Sequence, residues 1–140
     1  DILYGFSVQL HATSTNVSVT AHQPIIYQNV ITNIADMYDV TTGIVHPPVH
    51  GLYSLSVTVT ENDGQDSMYV DLVVSDRVVC QASMLQSDIS GNSVSIYPSG
   101  TCNTVVQLEP TGEVYVRPSE SLAIAGRFNW FSGHLIQYFQ

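Results

Sequence analysis

Glu61, Asp63 and Asp66 fall inside the turn "ENDGQD", beside an asparagine and a glutamine, and Asp88 stands in a second polar stretch, "SDISGN". Calcium takes about six to eight hard oxygens from carboxylates, side-chain amides and loop carbonyls. These four acids are therefore the candidate metal ligands. The spacing is not that of an EF-hand, and an acidic turn is more often only a solvated turn, so calcium is a possible ligand and no cofactor is required. A second set carries hydrogen-bonding chemistry. "GRFNW" places Arg127, Asn129 and the single tryptophan, Trp130, within five residues, and Tyr97 lies in another turn-rich segment. Planar donors and acceptors beside an aromatic face suit sugar hydroxyls, although Trp130 alone is better explained as a cap on a hydrophobic core. Asn16 opens the one N-glycosylation sequon, "NVS".

Catalytic chemistry has no comparable support. The sequence contains no GxSxG, HExxH or phosphate-binding loop, and the five histidines, His11, His22, His46, His50 and His134, are scattered. The expectation is a protein that is not an enzyme. Cys80 and Cys102 are far apart and belong to no CxxC pair, which argues against zinc. They form either one disulfide between neighbouring strands or two buried thiols.

The elements that must position these groups are strands. "GLYSLSVTVT" sets Tyr53, Leu55, Val57 and Val59 against Ser54, Ser56, Thr58 and Thr60, and "SMYVDLVVSD", "RVVCQASML", "TCNTVVQLEP" and "GEVYVRP" continue the alternation. No helical period persists beyond about one turn, with "NIADMY" the one short candidate. Turns fall at "NDGQD", "SDISGN", "PTG" and "HPPVHG". The pattern predicts an all-β sandwich in one domain spanning residues 1–140. Near the C-terminus, "NWFSGHLIQYF" is apolar on both sides of an extended chain, with His134 in the middle of the second side.

Charge narrows the partners. Twelve acids against three arginines and no lysine give a net charge of −9, and charged residues make up only 11% of the chain. Nucleic acid needs clustered cations and is excluded as a partner; an anionic membrane surface is disfavoured for the same reason, and no run of about 18 apolar residues predicts membrane insertion. So few charges leave either a surface of Ser, Thr, Asn and Gln or one hidden by self-association. The start at Asp1 is that of a processed secreted protein or an excised domain.

The segment "YQNVITNIADMYDVTTGIVHPPVHGLYSLSV" resembles the signature of the complement C1q globular-domain family. Tyr27, Asn33, Tyr38, Gly51 and Tyr53 stand in register, while Val45, Leu55 and Val57 replace expected aromatics; "FSGHLI" and "TVVQLEPTGEVYVRP" are similar to the family's closing motifs. The nearest style is that of stand-alone invertebrate C1q-domain proteins. The resemblance implies a ten-strand jelly roll of the C1q and tumour-necrosis-factor type, assembled as a homotrimer. The outer side of the sheet holding the last strand would lie in the interface, placing Ser54, Ser56, Thr58, His134, Ile136 and Tyr138 there. Three converging copies of His134 would make the trimer sensitive to pH; the plainer alternative is a neutral imidazole bonded to a hydroxyl.

If the chain starts and ends at one pole, as in that family, the loops near Thr13–Gln23, Glu61–Asp66, Gln86–Ser99 and Ser119–Asn129 share the opposite, apical pole. Glu120 joins the acids there. The implied function is a secreted, lectin-like recognition protein of innate immunity that binds glycans or microbial surfaces. The alternatives are a trimeric cytokine- or hormone-like ligand for a receptor, and a calcium-handling matrix protein.

Overall fold

The computed structural model describes residues 3–14, 16–60, 68–84, 99–124 and 126–140. Ten of its strands form two five-stranded sheets. The first runs in the order β3-β1-β12-β6-β9, from Asn29–Asn33 (β3), Gly5–Gln9 (β1), Trp130–Tyr138 (β12), Gly51–Thr60 (β6) and Ser99–Leu108 (β9). The second has the order β4-β5-β10-β7-β8, from Tyr38–Asp39, Ile44–Val45, Val114–Pro118, Met68–Val74 and Arg77–Met84. A small ribbon pairs Val17–Val19 (β2) with Leu122–Ile124 (β11). Every pairing is antiparallel. This is the expected all-β jelly-roll sandwich, with its ten strands in the two main sheets.

The alternation read in "GLYSLSVTVT" is the burial pattern of β6. Gly51, Tyr53, Leu55, Val57 and Val59 are buried and the intervening residues are half-exposed. Its core neighbours come from β1 (Phe6, Val8) and β12 (Phe131) of the same sheet, and facing residues from β7 (Val70, Leu72) and β10 (Val114, Val116) of the other, all essentially inaccessible. Phe6 stands edge-on to Phe131 at 4.8 Å between centroids, a favoured aromatic geometry.

The spaced Tyr27, Asn33 and Tyr38 have a common physical purpose. The Asn33 side chain accepts the Tyr38 N–H (2.9 Å) and donates to the Tyr38 carbonyl (2.8 Å). The Tyr38 hydroxyl in turn accepts the Tyr27 N–H (2.7 Å) and donates to the Tyr27 carbonyl (2.9 Å). Tyr27 lies in a segment with no ladder partner, so these bonds replace a missing sheet contact in the core. "NIADMY" makes a single 3-10 turn, Ile34–Asp36, rather than a longer helix, with Ala35 and Asp36 at positive φ.

Two glycines mark close approaches. A Cβ on Gly51 would strike the Gln137 carbonyl oxygen, and one on Gly133 would come within 2.6 Å of Leu55 Cδ2 and 2.8 Å of Phe6 Cε1. The Gln137 contact belongs to an irregularity in β12. Pairing with β6 shifts between Leu135 and Gln137, so Leu135 faces Tyr53, Gln137 faces Leu52 and Tyr138 faces Gly51. Because one extra residue moves everything beyond it to the other side of a strand, Tyr138 leaves the row that contains His134. Gln137 takes the outward position expected of Tyr138.

The two sheets are stapled at one open side. β9 is the edge of the first sheet and β8 the edge of the second, and a Cys80–Cys102 disulfide joins them with Cα atoms 6.2 Å apart. Of the two states left open for these cysteines, the disulfide is the one formed.

Candidate functional site

The register fixes which loops meet. β6 ends at Thr60 where β12 begins at Trp130, and starts at Gly51 opposite Leu108 and Tyr138. Residues 126–130 therefore sit at the pole where β6 ends and β9 starts, and the turns Ser75–Asp76 and Pro110–Gly112 sit at the other. The pole assignment of "GRFNW" agrees with the expectation.

The loop is held from two sides. The His11 N–H donates to the Gly126 carbonyl (3.1 Å), the Gly126 N–H to Ser14 (3.0 Å) and the Leu10 N–H to Asn129 (2.9 Å). His11 is itself occupied: its Nδ1 accepts the backbone N–H groups of Thr13 (3.2 Å) and Ser14 (3.0 Å). Arg127 lies in the 3-10 turn Gly126–Phe128. Trp130 is 37% exposed and Phe128 46%. Two aromatic residues thus present surface at one pole, and Phe128 is the one that sequence reading passed over. An aromatic between a turn and a final strand reads as core; only tertiary placement shows it outside.

Asn129 has a different task from the one expected. It is 1% exposed, its Nδ2 donates to the Thr60 carbonyl (2.9 Å), and its Oδ1 accepts the Thr60 N–H (3.0 Å). Both ends of the amide are spent on terminating β6, so Asn129 cannot offer them to a sugar without leaving a buried peptide group unsatisfied. Of the remaining apical expectations, Tyr97, Glu61, Asp63, Asp66 and Asp88 lie outside the described residues, and Glu120 is exposed. Among the described residues no three His, Cys, Asp or Glu side chains gather as a cation site.

The outer face of the first sheet has its own chemistry. Register places Gly5, Ser7 and Gln9 of β1 beside His134, Ser132 and Trp130 of β12. Next come Ser54, Ser56 and Thr58 of β6, and then Val105, Asn103 and Thr101 of β9. No carboxylate or guanidinium stands in these rows. Some of the hydroxyls find partners within the face: Ser56 Oγ donates to Asn103 Oδ1 (2.5 Å), and the Thr58 and Thr101 hydroxyls are 3.5 Å apart. His134 is exposed, and the apolar members Trp130, Ile136 and Val105 are open to solvent, Val105 at 55%. The second sheet differs. There Asp71 on β7 takes Arg117 Nε at 3.2 Å and Gln81 Nε2 at 2.8 Å.

Asn16 is exposed at the start of the ribbon, with its N–H on Ser14 Oγ (3.2 Å) and its carbonyl accepting from that hydroxyl (2.9 Å). No helix among the described residues is long and apolar enough to cross a membrane.

Comparison with known proteins agrees with this architecture. The family model described as "C1q domain" matches residues 5–136. The human complement C1q tumor necrosis factor-related protein 3 is 30% identical over 115 residues, which are 80% of this chain and 44% of that protein. The mouse protein of the same name matches to the same extent, so the chain spans under half the length of these curated relatives. Among solved structures, the globular domain of zebrafish complement 1qA superposes with a TM-score of 0.74 at 18% identity, covering 97% of this chain and 99% of that one. The Eiger TNF structure from S. frugiperda gives 0.77 at 16% identity, with 100% and 96% covered.

Proposed function

The chain belongs to the C1q domain family, and on that premise we propose that it is a secreted homotrimeric recognition module that binds glycans or microbial surfaces and does no catalysis. The observation that carries the self-association is the charge-free outer face of the β3-β1-β12-β6-β9 sheet. A chain of net charge −9 repels its own copies wherever its acids are displayed, and this face displays none. Ser56 is bonded to Asn103 and the Thr58 and Thr101 hydroxyls lie side by side within the face, while Val105 and Ile136 supply apolar area. The face holds Ser54, Ser56, Thr58, His134 and Ile136 as the interface set. The disulfide supports an oxidising, extracellular setting.

Glycan contact is assigned to the pole of residues 126–130, through Arg127, Trp130 and the neighbouring Phe128, with Tyr97 kept as the further ligand-binding residue that the sequence suggests. Three weak sites on one trimer would act together on a repetitive surface by effective concentration. Calcium through Glu61, Asp63, Asp66 and Asp88 is the accompanying metal proposal, and a glycan on Asn16 the accompanying modification.

A glycan array probed with the native oligomer, with and without chelator, tests this. Binding that a free monosaccharide inhibits is the expected result, and loss on chelation would place calcium in the site. An array with no bound glycan would overturn the lectin reading in favour of a ligand for a protein receptor, the alternative that the family leaves open.

A further inference from the structure

We infer that a second ligand site, a saccharide-binding cleft, lies at the pole opposite Trp130, between the β7–β8 and β9–β10 turns. A cavity of about 490 Å³ opens there, within the size range of small-ligand clefts. Val74 and Leu108 give it apolar surface, and Ser75, Arg77, Gln107, Glu109 and Thr111 line it with polar groups.

The two turns are fastened together. The Ser75 N–H donates to the Glu113 carbonyl (2.9 Å), and the Gly112 N–H closes its own turn on Glu109 (2.8 Å). Ser75 and Asp76 occupy the turn at φ 48° and 66°, where glycine or asparagine is preferred. The Ser75 hydroxyl lies beside Gly112, 3.0 Å from where a Cβ on that glycine would stand.

The polar groups around the cleft are available. Arg117 is committed to Asp71, whereas the Arg77 guanidinium makes no hydrogen bond or ion pair among the described residues. Glu109 has only a 3.9 Å approach to His50 Nε2, and its side chain is about two-thirds exposed. Gln107 places its Nε2 2.8 Å from His50 Nε2, leaving its other amide atom for a ligand.

The sign of the lining selects the ligand class. An anion meets Glu109, a cation meets Arg77, and a purely apolar molecule strands both charges. A neutral polyhydroxylated ring satisfies all of them: its hydroxyls accept from the guanidinium, donate to the carboxylate and exchange bonds with Ser75, Thr111 and Gln107, while its C–H face covers Val74 and Leu108. This site shares with the proposed function the premise that the chain recognises glycans, but it uses the other pole.

Amide NMR of the native ¹⁵N-labelled protein, titrated with the methyl pyranosides of mannose, glucose, galactose and N-acetylglucosamine, tests it. Saturable shifts are expected at Ser75, Thr111 and Gly112 with at least one of these sugars. Arg77→Ala and Glu109→Gln should each weaken the fitted affinity about tenfold, the equivalent of one charged hydrogen bond, with amide shifts elsewhere unchanged as the check on folding. Sugar shifts confined to Phe128–Trp130, or variants that bind like the wild type, would overturn this cleft and leave glycan recognition standing. No shift with any of the sugars would overturn both.

Discussion

Tyr38 shows how much a single side chain can carry. Its hydroxyl is the partner of both the N–H and the carbonyl of Tyr27, and both rings are nearly inaccessible. Tyr38→Phe keeps the ring and removes the bonds, leaving two buried backbone groups unsatisfied. Urea unfolding at fixed protein concentration should show a loss of about 2–4 kcal/mol. The same burial gives a pH dependence. Desolvation, with the neighbouring Tyr38 adding to it, holds the Tyr27 hydroxyl far above the ordinary tyrosine range. Tyr38 is raised by burial as well, against the opposing bond to Tyr27. Unfolded tyrosines ionise near pH 10. Because the folded values are raised, their contribution is complete below about pH 10 and is lost as pH rises beyond it. Phenolate absorbance during alkaline titration should show Tyr27 and Tyr38 ionising only as the protein unfolds. Asn129 teaches the complementary lesson. Asparagine beside tryptophan in an exposed-looking loop reads as a ligand-binding pair, yet one of the two closes a strand; residue type alone does not distinguish a sugar contact from a backbone clamp.

At the level of elements, period-two alternation specified β6 almost residue by residue, since each face of that strand meets a different solvent. Alternation failed at the end of β12, where the shift between Leu135 and Gln137 moves Tyr138 off the His134 row. Such an irregularity depends on how Gly51 meets the Gln137 carbonyl across the sheet, and nothing local in "LIQYF" encodes it. Pairing of Cys80 with Cys102 was legible only as one of two states, because the choice needs the two sheet edges to be adjacent. Replacing both cysteines with serine should lower stability by roughly 3 kcal/mol in the loop-entropy account, read from the urea midpoint. An unchanged midpoint would mean that β8 and β9 hold together without the staple. The cleft between the β7–β8 and β9–β10 turns was not legible, because its lining comes from two turns far apart in sequence and only the fold places Arg77 and Glu109 around one cavity.

For the whole molecule, the low charge content pointed toward self-association, and the register locates the charge-free surface on one sheet. His134 stands in its central rows, and the residues facing it, Ser54 on β6 and Gly5 on β1, with Val105 beyond on β9, carry no charge. The central claim, that this face joins three copies of the chain, is tested most directly by sedimentation equilibrium of the native protein and of Val105→Asp at neutral pH. The account predicts a mass of three chains for the native protein and a shift toward one chain for the variant. A native protein that sediments as a single chain at micromolar concentration, or a variant that stays trimeric, would contradict it.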